Sequence, residues 1–148
     1  MKIIIYSQNL VSMDGVGNSV LYFKNLLKNF AEIEIISHHS NIKGVINFNK
    51  YLQSHQENNI LLYHYSIYDV NLKLLLELNF KKRIIYYHGI TYPDFFEKDS
   101  DLYKNCKRGL SEINLLDKFD LYISNSSQSH NQFLKNVNKR NLEINHIV

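Results

Sequence analysis

Two stretches of this chain carry residue types suited to chemistry: Asp14-Gly15-Val16-Gly17-Asn18-Ser19 and His88-Gly89. In the first, Gly15 and Gly17 offer backbone that a phosphate or a sugar can approach closely. A helix starting here would also aim free N–H groups and the positive end of its dipole at such a group. A plain turn is the alternative, although the connection is long for one. In the second, an imidazole beside a glycine stands at the expected end of a strand; a histidine satisfied by backbone is the other reading. Tyr65 and His64 close another strand, with ligand contact and packing under a loop both open. Asn125 and Ser126 read first as helix caps and second as ligand groups. Tyr92, Phe95 and Phe96 read equally as an apolar wall and as a surface for another domain. No Cys/His grouping has zinc-ligand spacing, so no metal site is expected, and the lone Cys106 excludes a disulfide framework. The histidines at 38, 39, 55, 130 and 146 have no partner legible in the sequence.

The elements that must position these residues alternate. Strand-like runs occur at Ile3–Tyr6, Glu32–Ile36, Ile60–His64, Ile84–Tyr87, Leu121–Ile123 and Leu142–Val148. The first is a β-branched run without polar alternation, which suits a strand covered on both faces. Between them, helical patterns run from an Asn18 or Ser19 cap to Phe30, from an Asp69 cap through Leu78, from about Asp99 to Asp117, and from the Ser124–Ser127 run through Val137. In the first helix Val20, Phe23, Leu27 and Phe30 form the apolar stripe; the stretch from Phe48 to His55 is weakly helical. Arg108 and Glu112 read as an ordinary surface pair. No hairpin signal joins neighbouring strands, so right-handed crossovers and a parallel sheet follow. The expectation is an α/β, Rossmann-like three-layer domain over residues 1–148, with a six-stranded parallel sheet in the order 3-2-1-4-5-6. That order would set Ile3–Tyr6 beside Ile84–Tyr87 and bring the glycine loop and His88-Gly89 to one crevice.

A net charge of +3 with dispersed Lys and Arg does not mark a nucleic-acid binder. The sequence shows neither a secretion signal nor an apolar stretch of about 20 residues, so a cytoplasmic protein is expected. Dinucleotide binding would need a third glycine where Val20 stands and an acidic residue where Ser37-His38-His39 ends the second strand. A P-loop lacks its Gly-Lys-Ser/Thr, and no Gly-x-Ser-x-Gly elbow marks a serine hydrolase. A phosphoacceptor receiver domain would want acidic residues where Ser7-Gln8 and His64-Tyr65 stand.

Four motifs remain. They are the Asp14–Ser19 loop after the opening strand, Leu62-Tyr63-His64-Tyr65-Ser66, Ile85-Tyr86-Tyr87-His88-Gly89-Ile90-Thr91-Tyr92-Pro93, and Asp120-Leu121-Tyr122-Ile123-Ser124-Asn125-Ser126. Together they resemble the N-terminal, acceptor-side domain of a GT-B glycosyltransferase, most similar to glycosyltransferase family 4. That family commonly has a Gly-Gly-x-x loop first, a strand ending in His-Gly or His-Asp, and a D-x-x-x-x-S stretch before a helix. The resemblance implies one half of a GT-B fold, with the C-terminal donor-binding domain and its E-x7-E glutamates outside this chain. It implies a fragment inactive alone, partnered by that domain or by a separate chain carrying it. The pair would transfer a hexose from a nucleotide sugar, used as substrate with no cofactor, to a glycan or glycolipid acceptor of the bacterial cell envelope. Peripheral contact with the inner face of the membrane is a further expectation. By resemblance His88 would hydrogen-bond the transferred sugar or orient the acceptor, and Gly15, Val16, Gly17, Asn18, Tyr65, Gly89, Asn125 and Ser126 would bind donor or acceptor. The alternative is a non-catalytic Rossmann-like module that pairs with another protein.

Overall fold

Isoleucine and tyrosine fill both faces of the first strand, β1 (Lys2–Leu10), where Ile4, Ile5 and Tyr6 are at most 1% exposed. In the computed structural model, which describes residues 1–137 and 143–144, the chain continues through α1 (Gly15–Leu27), β2 (Glu32–Ser40), β3 (Ile46–Asn47) and α2 (Phe48–Leu52). It goes on through β4 (Ile60–Tyr65), α3 (Leu72–Glu77), β5 (Lys82–Tyr87), α4 (Asp101–Glu112), β6 (Leu121–Ser124), α5 (Ser127–Asn136) and β7 (Glu143–Ile144). Short 3-10 turns cover Pro93–Phe95 and Ile113–Lys118. The fold is α/β and Rossmann-like, with parallel strands in the order β3-β2-β1-β4-β5-β6-β7. Of the expected last strand, Glu143–Ile144 pairs with β6, while the remainder and His146 lie outside the described residues.

The 3-2-1-4-5-6 order is present, but its third member is Ile46–Asn47 rather than Ile60–His64. The Ile60 strand instead pairs directly with β1, Ile5 facing Leu62 and Tyr6 facing Tyr63. Burial gives the reason: Leu61, Leu62, Tyr63, His64 and Tyr65 are all buried, so this strand is apolar on both sides and belongs inside a sheet. With β2 on its other edge, β1 has no edge left for Ile84–Tyr87, and the expected lateral pairing of those two strands does not form.

The chain divides into two compact units, Met1–His64 with Asn71–Ile84, and Tyr65–Val70 with Ile85–Val148. In the first, the Tyr6 ring packs on Phe48 and Tyr63 with centroids 5.3 Å away in each case. Lys2 Nζ sits between Glu32 at 3.1 Å and Glu34 at 2.5 Å at the start of β1 and β2. In the second, Tyr122 stacks on Phe133 at 3.9 Å, and Tyr87 packs on both.

Two helix starts, those of α1 and α3, differ from expectation. α1 begins at Gly15, because Asp14 caps it by accepting from Gly17 N at 2.6 Å, and Phe30, expected on the buried stripe, is 82% exposed beyond the helix end. α3 begins at Leu72 rather than after Asp69, whose side chain is buried. α4 begins after Ser100, which accepts from Tyr103 N at 3.1 Å, and tightens to 3-10 geometry at Ile113. Arg108 on α4, expected to pair with Glu112, lays its guanidinium over Tyr68 at 3.8 Å.

Candidate functional site

In the second unit β5 ends at Tyr87 and the chain turns at His88-Gly89. Gly89 has φ +84°, a region that residues with a Cβ enter at a cost, and a Cβ there would lie 2.7 Å from Ser129 Oγ. The glycine is therefore required twice, by its own backbone and by the approach of α5. Ser126 starts α5 as its cap, its Oγ accepting from Ser129 N at 3.1 Å, as the sequence suggested. Three residues on, Ser129 reaches back with Oγ 3.1 Å from His88 O and 2.7 Å from Asn125 Oδ1. One hydroxyl hydrogen serves only one of these acceptors at a time; rotating the Asn125 amide so that Nδ2 faces Ser129 satisfies both contacts.

One turn further along, Gln132 holds the loop. Its Oε1 accepts from Ile90 N at 2.8 Å and from Tyr87 Oη at 2.5 Å, while Nε2 donates to Ile90 O at 2.8 Å. A buried primary amide thus supplies residue 90 with the donor and acceptor that a neighbouring strand would give. His88 N donates to Tyr65 O at 3.0 Å, and the His88 ring packs on Tyr86 with centroids 4.8 Å apart.

The product is a cleft of about 270 Å³ whose lining includes His88, Thr91, Tyr92, Phe95, Gln128 and Ser129. Tyr92 and Phe95 are 46% and 79% exposed and give it aromatic faces. Amide, hydroxyl and imidazole groups share it with those rings, an arrangement suited to a ligand with an apolar face and a hydroxylated edge, such as a sugar. Among the described residues no Asp, Glu or Cys lines it. Among the described residues no group of three or more His, Cys, Asp or Glu is placed to hold a metal.

His88, Gly89, Asn125 and Ser126 are brought together by Ser129. Tyr65 belongs to the same unit, but its side chain is 1% exposed, donates from Oη to Gly109 O at 2.9 Å and stacks on Tyr87. Buried and bonded in this way it is a packing group in this arrangement, and desolvation pushes its phenol pKa up. In the first unit, Gly15, Val16, Gly17 and Asn18 form the first turn of α1. A Cβ on Gly17 would lie 2.3 Å from Val11 O, so the close approach this glycine permits is to the chain's own backbone. Asp14 holds Gly17 N with its carboxylate and Asn18 N with its carbonyl, which places negative charge where an anion would sit. A Cβ on Gly15 meets nothing within 4 Å.

Ser129 and Gln132 were missed by sequence reasoning. Their spacing from Ser126, three and six residues, puts them on one helix face, which was visible; that this face meets the His88 turn was not. Comparison of the sequence with protein-family models and with curated proteins yields no match.

Proposed function

We propose that this chain is the acceptor-binding half of a sugar-nucleotide-dependent glycosyltransferase, with the His88 cleft as its sugar-contacting surface. The observation that carries the reading is the pinned turn His88-Gly89-Ile90, which sets an imidazole and two exposed aromatic rings around one polar cleft. A sugar stacked on Tyr92 or Phe95 would present hydroxyls to His88, Gln128 and Ser129. During transfer, positive charge builds at the anomeric carbon and negative charge on the departing phosphate. A fixed donor to the sugar hydroxyls helps hold that geometry without acting as nucleophile. The donor-binding partner supplies nucleotide affinity, and the 79% exposure of Phe95 fits a surface that a partner covers. Among the described residues no helix is long and apolar enough to cross a membrane.

The test is to join or co-express this chain with a family 4 donor-binding domain and follow hexose transfer to a glycan acceptor. His88→Ala should lower transfer by about a hundredfold, the scale of one lost transition-state hydrogen-bond donor. Equal transfer by both proteins would remove His88 from the reaction. Saturation-transfer NMR on the isolated chain with a methyl glycoside gives a second reading, in which Phe95→Ala should abolish the signal.

A further inference from the structure

The carboxyl ends of β2 and β3, in the first unit, border a separate cleft of about 220 Å³ lined by Ser37, His38, His39, Ser40, Val45, Ile46 and Asn47. Parallel sheets bind ligands beyond the carboxyl ends of their strands. Two adjacent imidazoles stand here, their rings edge to face with centroids 4.3 Å apart. His38 is oriented from behind: Asn71 Nδ2 lies 3.2 Å from His38 Nδ1 and 3.1 Å from Tyr6 Oη. With the amide in this orientation its two hydrogens go one to each, His38 Nδ1 accepts, and the neutral ring carries its hydrogen on Nε2, where it can donate. Ser40 Oγ accepts from Ile42 N at 3.0 Å, which leaves its hydroxyl hydrogen for another acceptor. The rim is fixed as well. Ser37 Oγ lies 2.9 Å from Gln8 O and 2.7 Å from His39 O and donates its one hydrogen to either, and Asn47 Nδ2 donates to His38 O at 3.3 Å. Charge points the same way. From position 35 to 56 the chain has no Asp or Glu, but it has Lys43, Lys50 and three histidines.

We infer that this cleft is a binding site for an anionic oxygen group, the carboxylate or phosphate of a small ligand, received by His38 Nε2, His39 and Ser40. It shares no residue with the His88 cleft, so its failure and that of the transferase reading are separate results.

The experiment is an NMR titration of the histidine ring resonances of the whole chain. Sodium phosphate and sodium glucuronate are the probes, with glucose as the uncharged comparison and ionic strength held constant with KCl. Saturable shifts of both His38 and His39 with either anion, and none with glucose, are the expected result. A response to phosphate alone identifies a phosphoryl ligand, and a response to glucuronate alone a carboxylate; each supports the site. His39→Gln, on an exposed ring, should weaken the responding anion about tenfold, as expected for a lost charge-assisted hydrogen bond, with thermal unfolding unchanged. Linear shifts that never saturate, shifts of equal size with glucose, or unaltered affinity in His39→Gln would overturn the proposal.

Discussion

At Gly89 and Gly44 the backbone has nearly the same left-handed φ, +84° and +85°, but a Cβ at Gly44 would meet nothing within 4 Å while one at Gly89 would strike Ser129 Oγ. Gly44→Ala should therefore cost about 1 kcal/mol, the conformational term alone, and Gly89→Ala about 2–3 kcal/mol. Urea unfolding midpoints of the two variants check the difference; equal losses would mean that α5 does not press on the turn. Gln132→Leu removes the partners of Ile90 N, Ile90 O and Tyr87 Oη together. The expected loss is about 2–3 kcal/mol, set by buried groups left unsatisfied rather than by side-chain volume. At this scale the sequence was informative about His88 and Gly89, because a histidine and a glycine at a strand end are conspicuous. It was silent on Ser129 and Gln132, whose importance lies in backbone atoms some 40 residues away, His88 O and the N and O of Ile90.

The first turn of α1 separates two glycines that look equivalent as a Gly-x-Gly pair. Gly15→Ala, on open helix surface, should stabilise by about 0.5 kcal/mol through helix propensity and a less mobile unfolded chain. Gly17→Ala should destabilise by about 2 kcal/mol or more, because the added carbon meets Val11 O. Thermal unfolding of the pair decides the matter, and opposite signs are expected. Asp14→Ala removes the cap and should cost about 1 kcal/mol. Most strands were legible as short apolar runs between polar breaks. The two-residue β3 was not, since Ile46–Asn47 is too short to show a period. That omission shifted the strand order by one place and put Ile60–Tyr65 at an edge, although its unbroken apolar character already argued for the interior. The start of α1 was misplaced for a related reason, since Asp14, Asn18 and Ser19 are all good caps and only the contact with Gly17 N chooses among them.

For the molecule as a whole, buried tyrosines govern the alkaline limit. Desolvation raises the phenols of Tyr65, Tyr87 and Tyr122, and that of Tyr51 is pushed up to about 12. Each keeps its proton when folded at a pH where an unfolded tyrosine, near pKa 10, has lost it. Stability is thus fully present below about pH 10 and falls as pH rises toward the folded values. Lys2 acts in the same sense, since hydrogen bonds to Glu34 and Glu32 raise its pKa above the ordinary lysine value and their contribution disappears on deprotonation. A titration followed at 295 nm should show part of the tyrosinate signal arriving only with loss of near-UV circular dichroism; complete ionisation with that band intact would contradict the burial. The pairing of β1 with both β2 and β4 also bears on how the chain is made. A ribosome adding about 5–20 residues per second completes β1 some 3–11 s before the last residue of β4. Throughout that interval Ile3-Ile4-Ile5-Tyr6 has at least one hydrogen-bonding side unmatched, a segment of the kind that seeds intermolecular cross-β association. A nascent chain arrested just before Ile60 should therefore engage holdase chaperones, and release them once Tyr65 has emerged.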